Sequence, residues 1–193
     1  MERESYYTLL WIWTVVGLLA FILLLFVTAP YGRHSRKDWG PSIPNRVGWV
    51  VMELPSLIIF ILAFLLGPNG VQPVTWIFFA FYVFHYGNRS ILWPLRTKTS
   101  GKQMPLVVAF MAVAFNLVNG FINGYYFSSF AREYTWYWLM DIRFILGMIV
   151  WGSGLFINWW SDQTLLNLRR GGRKGYFIPH GGLFRWISCP NFL

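Results

Sequence analysis

Apolar residues along this chain gather into five long runs, and short segments rich in proline, glycine and charged residues separate them. A helix needs about 20 mostly apolar residues to cross the hydrocarbon core of a bilayer. All five runs reach that length, and they cover residues 6–29, 47–67, 74–94, 105–127 and 137–160. The pattern therefore predicts an all-α fold, a polytopic bundle with about five membrane-spanning helices.

The composition points to the same environment. Of the 193 residues, 56% are hydrophobic and only 12% are charged, whereas soluble domains carry about 25% charged residues. So few charges cannot cover a water-exposed surface, and we expect lipid to cover much of the protein. The single cysteine, Cys189, cannot form an internal disulfide, and with the three histidines far apart we expect no metal site.

The formal net charge of +9 is distributed unevenly over the loops. Short cytosolic loops of membrane proteins are enriched in Lys and Arg. Twelve of the sixteen basic residues follow the first, third or fifth run, and they are Arg33, Arg36, Lys37, Arg46, Arg96, Lys98, Lys102, Arg169, Arg170, Arg173, Lys174 and Arg185. We therefore expect these three segments in the cytosol and the N-terminus in the lumen or periplasm. Topology explains the charge, so nucleic acid is not expected as a partner.

Ionisable groups interrupt two of the predicted spans. Glu53 lies in the second span, and His85, Tyr86 and Arg89 lie in the third. Such groups are costly in lipid and mark functional sites by default. The alternative is a structural pair between Glu53 and either Arg89 or His85, because buried charges usually find partners.

Glu53 and Tyr86 are the candidate catalytic pair. In a low-dielectric interior a carboxyl group favours its neutral form, which can donate a hydrogen bond, as a phenol can. Two donors aimed at one point would stabilise negative charge on a carbonyl oxygen. The pair thus predicts a pocket that polarises a carbonyl substrate.

Polar and small residues share one face of the fourth span. Asn116, Asn119 and Asn123 are three and four residues apart, which puts them near one helical face. Gly120 and Gly124 form a small-xxx-small pair that allows close helix packing. Interhelical hydrogen bonding and a role in a pocket both remain open for the three asparagines.

The fifth apolar run continues into a polar helical segment. Asn158, Asp162 and Arg169 lie on one helical face, and the basic, glycine-rich segment 171–176 follows them. Arginines among glycines suit phosphate contacts. Within a single domain of residues 1–193, we expect a cytosolic cofactor-binding segment at about residues 161–193.

Several short segments, spread in order over nearly the whole chain, resemble the steroid 5α-reductase family, the 3-oxo-5α-steroid 4-dehydrogenases. Each segment alone is weak evidence, and together they are specific. They are residues 29–34, Met52-Glu53-Leu54-Pro55-Ser56, His85-Tyr86, Asn119-Gly120, Gly124-Tyr125-Tyr126, Asp141-Ile142-Arg143-Phe144, Ile157-Asn158, Ser161-Asp162, residues 176–184 and Asn191-Phe192-Leu193.

The resemblance implies an enzyme that uses NADPH to reduce the C4–C5 double bond of 3-oxo-Δ4-steroids. Hydride would add to C5 while Tyr86 and Glu53 polarise the 3-oxo group. The resemblance implies that NADPH is held by Tyr31, Trp49, Arg89, Asn158, Asp162, Arg169, Tyr176 and Asn191. Family members continue with two further spans, so the chain is expected to be a C-terminally incomplete piece with about five of seven spans.

The substrate is expected to be an apolar steroid or sterol-like molecule that enters from the bilayer, and no obligate protein partner is evident. The resemblance implies the endoplasmic reticulum as the compartment in a eukaryote and the inner membrane in a bacterium. Two alternatives remain open from the residues. One is a reductase of another lipid double bond, in a polyprenol, an enoyl-CoA or a sterol, and the other is a transporter or scaffold without enzymatic activity.

Overall fold

The computed structural model describes residues 1–30, 34, 36, 38–68, 72–97, 101–132, 134–168 and 177–192. The chain forms two compact units, Met1–Thr135 and Trp136–Leu193. Helices account for most of the described residues in each unit. The predicted all-α class is therefore confirmed.

The helices of the first unit match the apolar runs of the sequence. They are α1 (Arg3–Phe26), α2 (Asn45–Leu65), α3 (Thr75–Gly87), α4 (Trp93–Arg96) and α5 (Leu106–Ser129). Together with α6 of the second unit (Ile142–Asn167), α1, α2 and α5 are long and apolar enough to cross a membrane. Large apolar side chains cover their outer faces, as expected where lipid replaces water.

The third predicted span is a composite of three helical pieces. A π-helical turn, Asn88–Leu92, joins α3 to α4, so the helical segment runs from Thr75 to Arg96. Pro94 gives a physical reason for the turn, because its nitrogen has no hydrogen to donate to the carbonyl of Ser90 four residues earlier. π turns of this kind are frequent at functional sites.

Helices α2 and α5 run parallel and in close contact. An added Cβ on Gly120 would lie 2.6 Å from the Ser56 carbonyl oxygen, and one on Gly124 would lie 2.5 Å from that of Phe60. Only glycine fits between two backbones at that separation. The close packing predicted from the small-xxx-small pair is confirmed.

A short antiparallel strand pair ties the starts of these two helices together. Strand β1 (Ser42–Pro44) precedes α2, strand β2 (Gln103–Pro105) precedes α5, and Ile43 pairs with Met104. The backbone N–H of Leu106 also donates to the Pro41 carbonyl at 2.8 Å. The strands therefore fix the relative heights of α2 and α5. These two strands were not predicted from the sequence, since three residues show no periodicity.

The second unit contains α6, which begins later than the predicted fifth span. A 3-10 turn, Trp136–Met140, precedes it, and the Asp141 carboxylate caps the helix by accepting from the Arg143 backbone N–H at 2.8 Å. The hydrogen bond from the Arg143 side chain, together with that backbone bond, lowers the pKa of Asp141 to about 2. Helix α6 continues to Asn167, which confirms the predicted polar extension of this helix.

Candidate functional site

Glu53 lies on the inner face of α2 and is 5% exposed. Its Oε1 accepts a hydrogen bond from the Nε of Arg89, in the π-helical turn, at 2.8 Å. Its Oε2 accepts a longer hydrogen bond, 3.5 Å, from the Nδ2 of Asn116 on α5. Of the two structural pairs considered from the sequence, the structure contains the one with Arg89.

The ion pair answers a question that the sequence left open. Arg89 and His85 were both candidate partners of Glu53, and the structure places the Arg89 guanidinium against the carboxyl group. Which side chain of the third span faces Glu53 depends on the rotation of that helix about its axis, and residue spacing does not give this rotation.

Arg89 itself lies between two partners. Besides Glu53, it contacts the indole ring of Trp49, with Cζ 5.3 Å from the ring centroid. A cation over an indole face is attracted by the ring quadrupole. The structure therefore brings together Trp49 and Arg89, both predicted cofactor contacts, on one side of the buried carboxylate.

The Tyr86 phenol points into the interface of α2, α3 and α5. Its oxygen accepts a hydrogen bond from the Nδ2 of Asn119 at 2.7 Å. Its ring stacks on Tyr82, one helical turn earlier, with centroids 4.6 Å apart. His85, which immediately precedes Tyr86, is exposed, and its ring is in edge contact with the Tyr86 ring, with centroids 5.1 Å apart.

Glu53 and Tyr86 thus face the same strip of α5. Asn116 bonds the first group and Asn119 the second, and these two positions differ by about 4.5 Å along the helix axis. Neither candidate catalytic side chain points toward the lipid-facing surface. The arrangement can place a carboxyl group and a phenol along one small polar strip inside an apolar bundle.

Two further polar residues of this strip were missed from the sequence. Ser56 Oγ and the Tyr82 hydroxyl lie 2.8 Å apart, and both accept from the Nδ2 of Asn119, at 3.2 and 3.1 Å. The signal that could have found Tyr82 is its spacing of four from Tyr86, which puts both phenols on one helical face. Ser56 could have been found in the same way, because its spacing of three from Glu53 puts both side chains on one face of α2.

The second unit holds another group of predicted site residues. Asn158 on α6 donates through Nδ2 to the backbone carbonyl of Asn191 at 2.7 Å. Asp162, one turn further along α6, is 7% exposed. Gly181, with φ of +96°, turns the chain back before the 3-10 turns that contain Arg185 and Asn191. Tyr31, Arg169 and Tyr176 lie outside the described residues.

The residues present fit a dinucleotide in their chemistry. A buried carboxylate can accept from ribose hydroxyls, amide groups can bond a carboxamide, and guanidinium groups can bind phosphate. In the second unit, Asp162 and Asn158 supply the carboxylate and the amide. In the first unit, Arg89 supplies a guanidinium group. Among the residues that the structure describes, no cluster of His, Cys, Asp or Glu could hold a metal ion.

Comparisons with known proteins identify the family. A family model for 3-oxo-5-alpha-steroid 4-dehydrogenase matches residues 102–193. Steroid 5-alpha-reductase DET2 of Arabidopsis thaliana is 40% identical over 179 residues, which are 89% of this chain and 67% of that protein. The 3-oxo-5-alpha-steroid 4-dehydrogenase 1 of Bos taurus is 37% identical and that of Homo sapiens 35% identical, each over 99% of this chain and about three quarters of the relative. The chain therefore belongs to the steroid 5α-reductase, or 3-oxo-5α-steroid 4-dehydrogenase, family of oxidoreductases.

Proposed function

We propose that this protein is a membrane-embedded, NADPH-dependent reductase of the C4–C5 double bond of 3-oxo-Δ4-steroids. The single observation that carries the proposal is that the Tyr86 phenol and the Glu53 carboxyl group contact two neighbouring asparagines on one face of α5, Asn119 and Asn116. The names of the relatives support the substrate class, since one is a steroid 5-alpha-reductase and another a 3-oxo-5-alpha-steroid 4-dehydrogenase.

Tyr86 is the donor to the substrate's 3-oxo oxygen. Its oxygen already accepts from Asn119, so its own hydrogen can be donated elsewhere. A hydrogen bond to the oxo oxygen draws electron density from C5 through the conjugated enone, and it stabilises the negative charge that then develops on that oxygen. The same hydrogen bond holds the enolate oxygen until C4 gains a proton.

Glu53 is proposed as the second group that polarises the oxo oxygen, by a hydrogen bond from its carboxyl group beside the one from Tyr86. Its Oε1 is held by the Nε of Arg89 at 2.8 Å. Arg89 also contacts Trp49, and its remaining N–H groups are proposed to bind the cofactor.

NADPH is proposed as the cofactor, and when bound it supplies the hydride that adds to C5 of the steroid. Asn158, Asp162 and Asn191 in the second unit, with Trp49 and Arg89 in the first, are proposed to bind it. Tyr31, Arg169 and Tyr176 complete the proposed set. The hydrogen bond from Asn158 to the Asn191 carbonyl holds this part of the site in place.

The proposed environment follows from the apolar helices and the basic loops. An apolar steroid dissolves in the bilayer and reaches the bundle from there, whereas an anionic dinucleotide must arrive through water. We place the basic segments and residues 161–193 in the cytosol, with the N-terminus in the lumen or periplasm. In a eukaryotic cell the membrane would be that of the endoplasmic reticulum, and in a bacterium the inner membrane.

The experiment is a product assay with purified protein in lipid vesicles and NADPH. We expect a 3-oxo-Δ4-steroid to yield a product two hydrogens heavier, detected by mass spectrometry, and its 3-hydroxy analogue to remain unchanged. The matched pair differs only in the group that Tyr86 is proposed to bind. Reduction of a polyprenol or an enoyl-CoA with no reduction of the steroid would contradict the proposed substrate. With NADH in place of NADPH, we expect no product.

A further inference from the structure

Asn119 is the centre of the polar strip on α5. Its single Nδ2 group lies 2.7 Å from the Tyr86 hydroxyl, 3.1 Å from the Tyr82 hydroxyl and 3.2 Å from Ser56 Oγ. An amide NH2 group has only two hydrogens. The shortest contact, to Tyr86, takes one of them, and Tyr82 and Ser56 share the other.

Asn123 fixes which end of the Asn119 amide faces the phenols. Its Nδ2 donates to the Asn119 Oδ1 at 3.2 Å and to the Asn119 backbone carbonyl at 2.9 Å. Because the carbonyl end of the amide is occupied in this way, the NH2 end must face Tyr86 and Tyr82. Along one face of α5, Asn123 therefore holds the Asn119 amide, and Asn119 contacts the Tyr86 hydroxyl.

The direction of these hydrogen bonds determines the direction of the Tyr86 proton. A phenol that accepts from an amide N–H cannot point its own hydrogen at that N–H. The stacked rings of Phe60, Tyr82 and Tyr86 also restrict rotation of the phenol, with centroids 3.8 and 4.6 Å apart along the stack. The Tyr86 hydrogen is therefore left for an acceptor other than Asn119.

We propose that Asn119 is a positioning residue, which orients the Tyr86 hydroxyl so that it donates to the substrate, and that Asn123 in turn holds the Asn119 amide. This inference rests on the proposed function, in which Tyr86 is the donor to the oxo oxygen. It assigns to the asparagines of α5 a part in the reaction and not only in helix packing. Asn119 itself does not touch the substrate in this account.

A double-mutant cycle separates positioning from packing. Asn119→Leu keeps the size of the side chain but removes its hydrogen bonds, and Tyr86→Phe removes the hydroxyl that Asn119 acts on. We expect Asn119→Leu to lower kcat about tenfold with little change in KM, because binding of the apolar steroid does not use the amide. In the Tyr86→Phe background the same substitution should change kcat by less than about twofold, since no hydroxyl is left to orient.

Two further variants keep the test decisive. Ser128→Ala removes a hydrogen bond of 3.0 Å to the Ala63 carbonyl in the same α2–α5 interface, away from the phenols, and it should leave kcat unchanged. If Asn119→Leu does not fold, Asn123→Ala takes its place in the cycle, because it frees the Asn119 amide without removing it. Asn123→Ala should likewise lower kcat when Tyr86 is present and change it little in the Tyr86→Phe background.

Each outcome has a distinct meaning. Equal fold-losses in the wild-type and Tyr86→Phe backgrounds, or no loss from either asparagine variant, would overturn the positioning role and leave the proposed function intact. Wild-type turnover in Tyr86→Phe alone would instead overturn the proposed role of Tyr86, and the positioning role with it. A loss of kcat that occurs only when the Tyr86 hydroxyl is present supports both the donor role of Tyr86 and the positioning role of Asn119.

Discussion

Among single residues, Glu53 shows how a neighbour decides the chemistry of a buried group. Its position in an apolar span marked it as functional, and the two candidate partners Arg89 and His85 were both apparent from the sequence. The choice between them depends on the π-helical turn, which directs Arg89 toward α2. Three-dimensional placement of this kind has no signature in residue spacing, so the sequence alone could not choose between the two partners.

Removal of the Arg89 guanidinium should therefore destabilise the folded protein. Arg89→Leu would leave a buried carboxylate without its cation, and we expect a loss of about 3–5 kcal/mol in the free energy of unfolding. Adding Glu53→Gln to Arg89→Leu should restore part of that loss, because the uncompensated charge is then gone. Unfolding in detergent, followed by circular dichroism, measures both variants. Strictly additive losses would show that the two side chains do not interact.

Among the helices and strands, the helices that could be predicted are those defined by long apolar runs. Helices α1, α2 and α5 follow residues 6–29, 47–67 and 105–127 closely. The differences have local causes: Pro94 is associated with a π turn in the third segment, and the Asp141 cap delays the start of α6 to Ile142. Such features depend on one hydrogen bond each, which apolar periodicity does not detect.

The contact between α2 and α5 gives a prediction for helix packing. Gly120→Ala would push a methyl group into the Ser56 carbonyl, and overpacking of this kind costs about 1–3 kcal/mol. Gly17→Ala on α1 is the matched control, because nothing lies within 4 Å of the added carbon. We expect a lower melting temperature in the first variant only. Equal melting temperatures for both would refute the close approach of the two backbones.

At the scale of the whole molecule, the directions of the spans follow from contacts within the first unit. Helices α2 and α5 run parallel, while the contacts from Glu53 to Arg89 and from Ser56 to Tyr82 make the third segment antiparallel to α2. Alternating directions are what a chain requires when it crosses a membrane repeatedly. The sequence predicted this alternation from run lengths and loop charges, but it could not give the rotation of each helix about its axis.

The proposed orientation can be tested with the single cysteine. Cys189 is exposed and lies in the segment that we place in the cytosol. A membrane-impermeant maleimide should label it only from the cytosolic side of sealed vesicles. In a Cys189→Ser background, a cysteine substituted for the exposed Arg132, between α5 and α6, should be labelled only from the opposite side. The reverse pattern would invert the topology.

The central claim is that a phenol and a carboxyl group on one buried strip polarise the substrate's oxo group. The most direct measurement is the turnover number of Tyr86→Phe for a 3-oxo-Δ4-steroid with NADPH. The control is Tyr125→Phe, which removes a tyrosine hydroxyl from α5 instead of α3. We predict that the turnover number of Tyr86→Phe falls by about 10²–10³-fold, the usual effect of losing one such donor, and that the control shows no comparable fall. Turnover of folded Tyr86→Phe at the wild-type level would contradict the account.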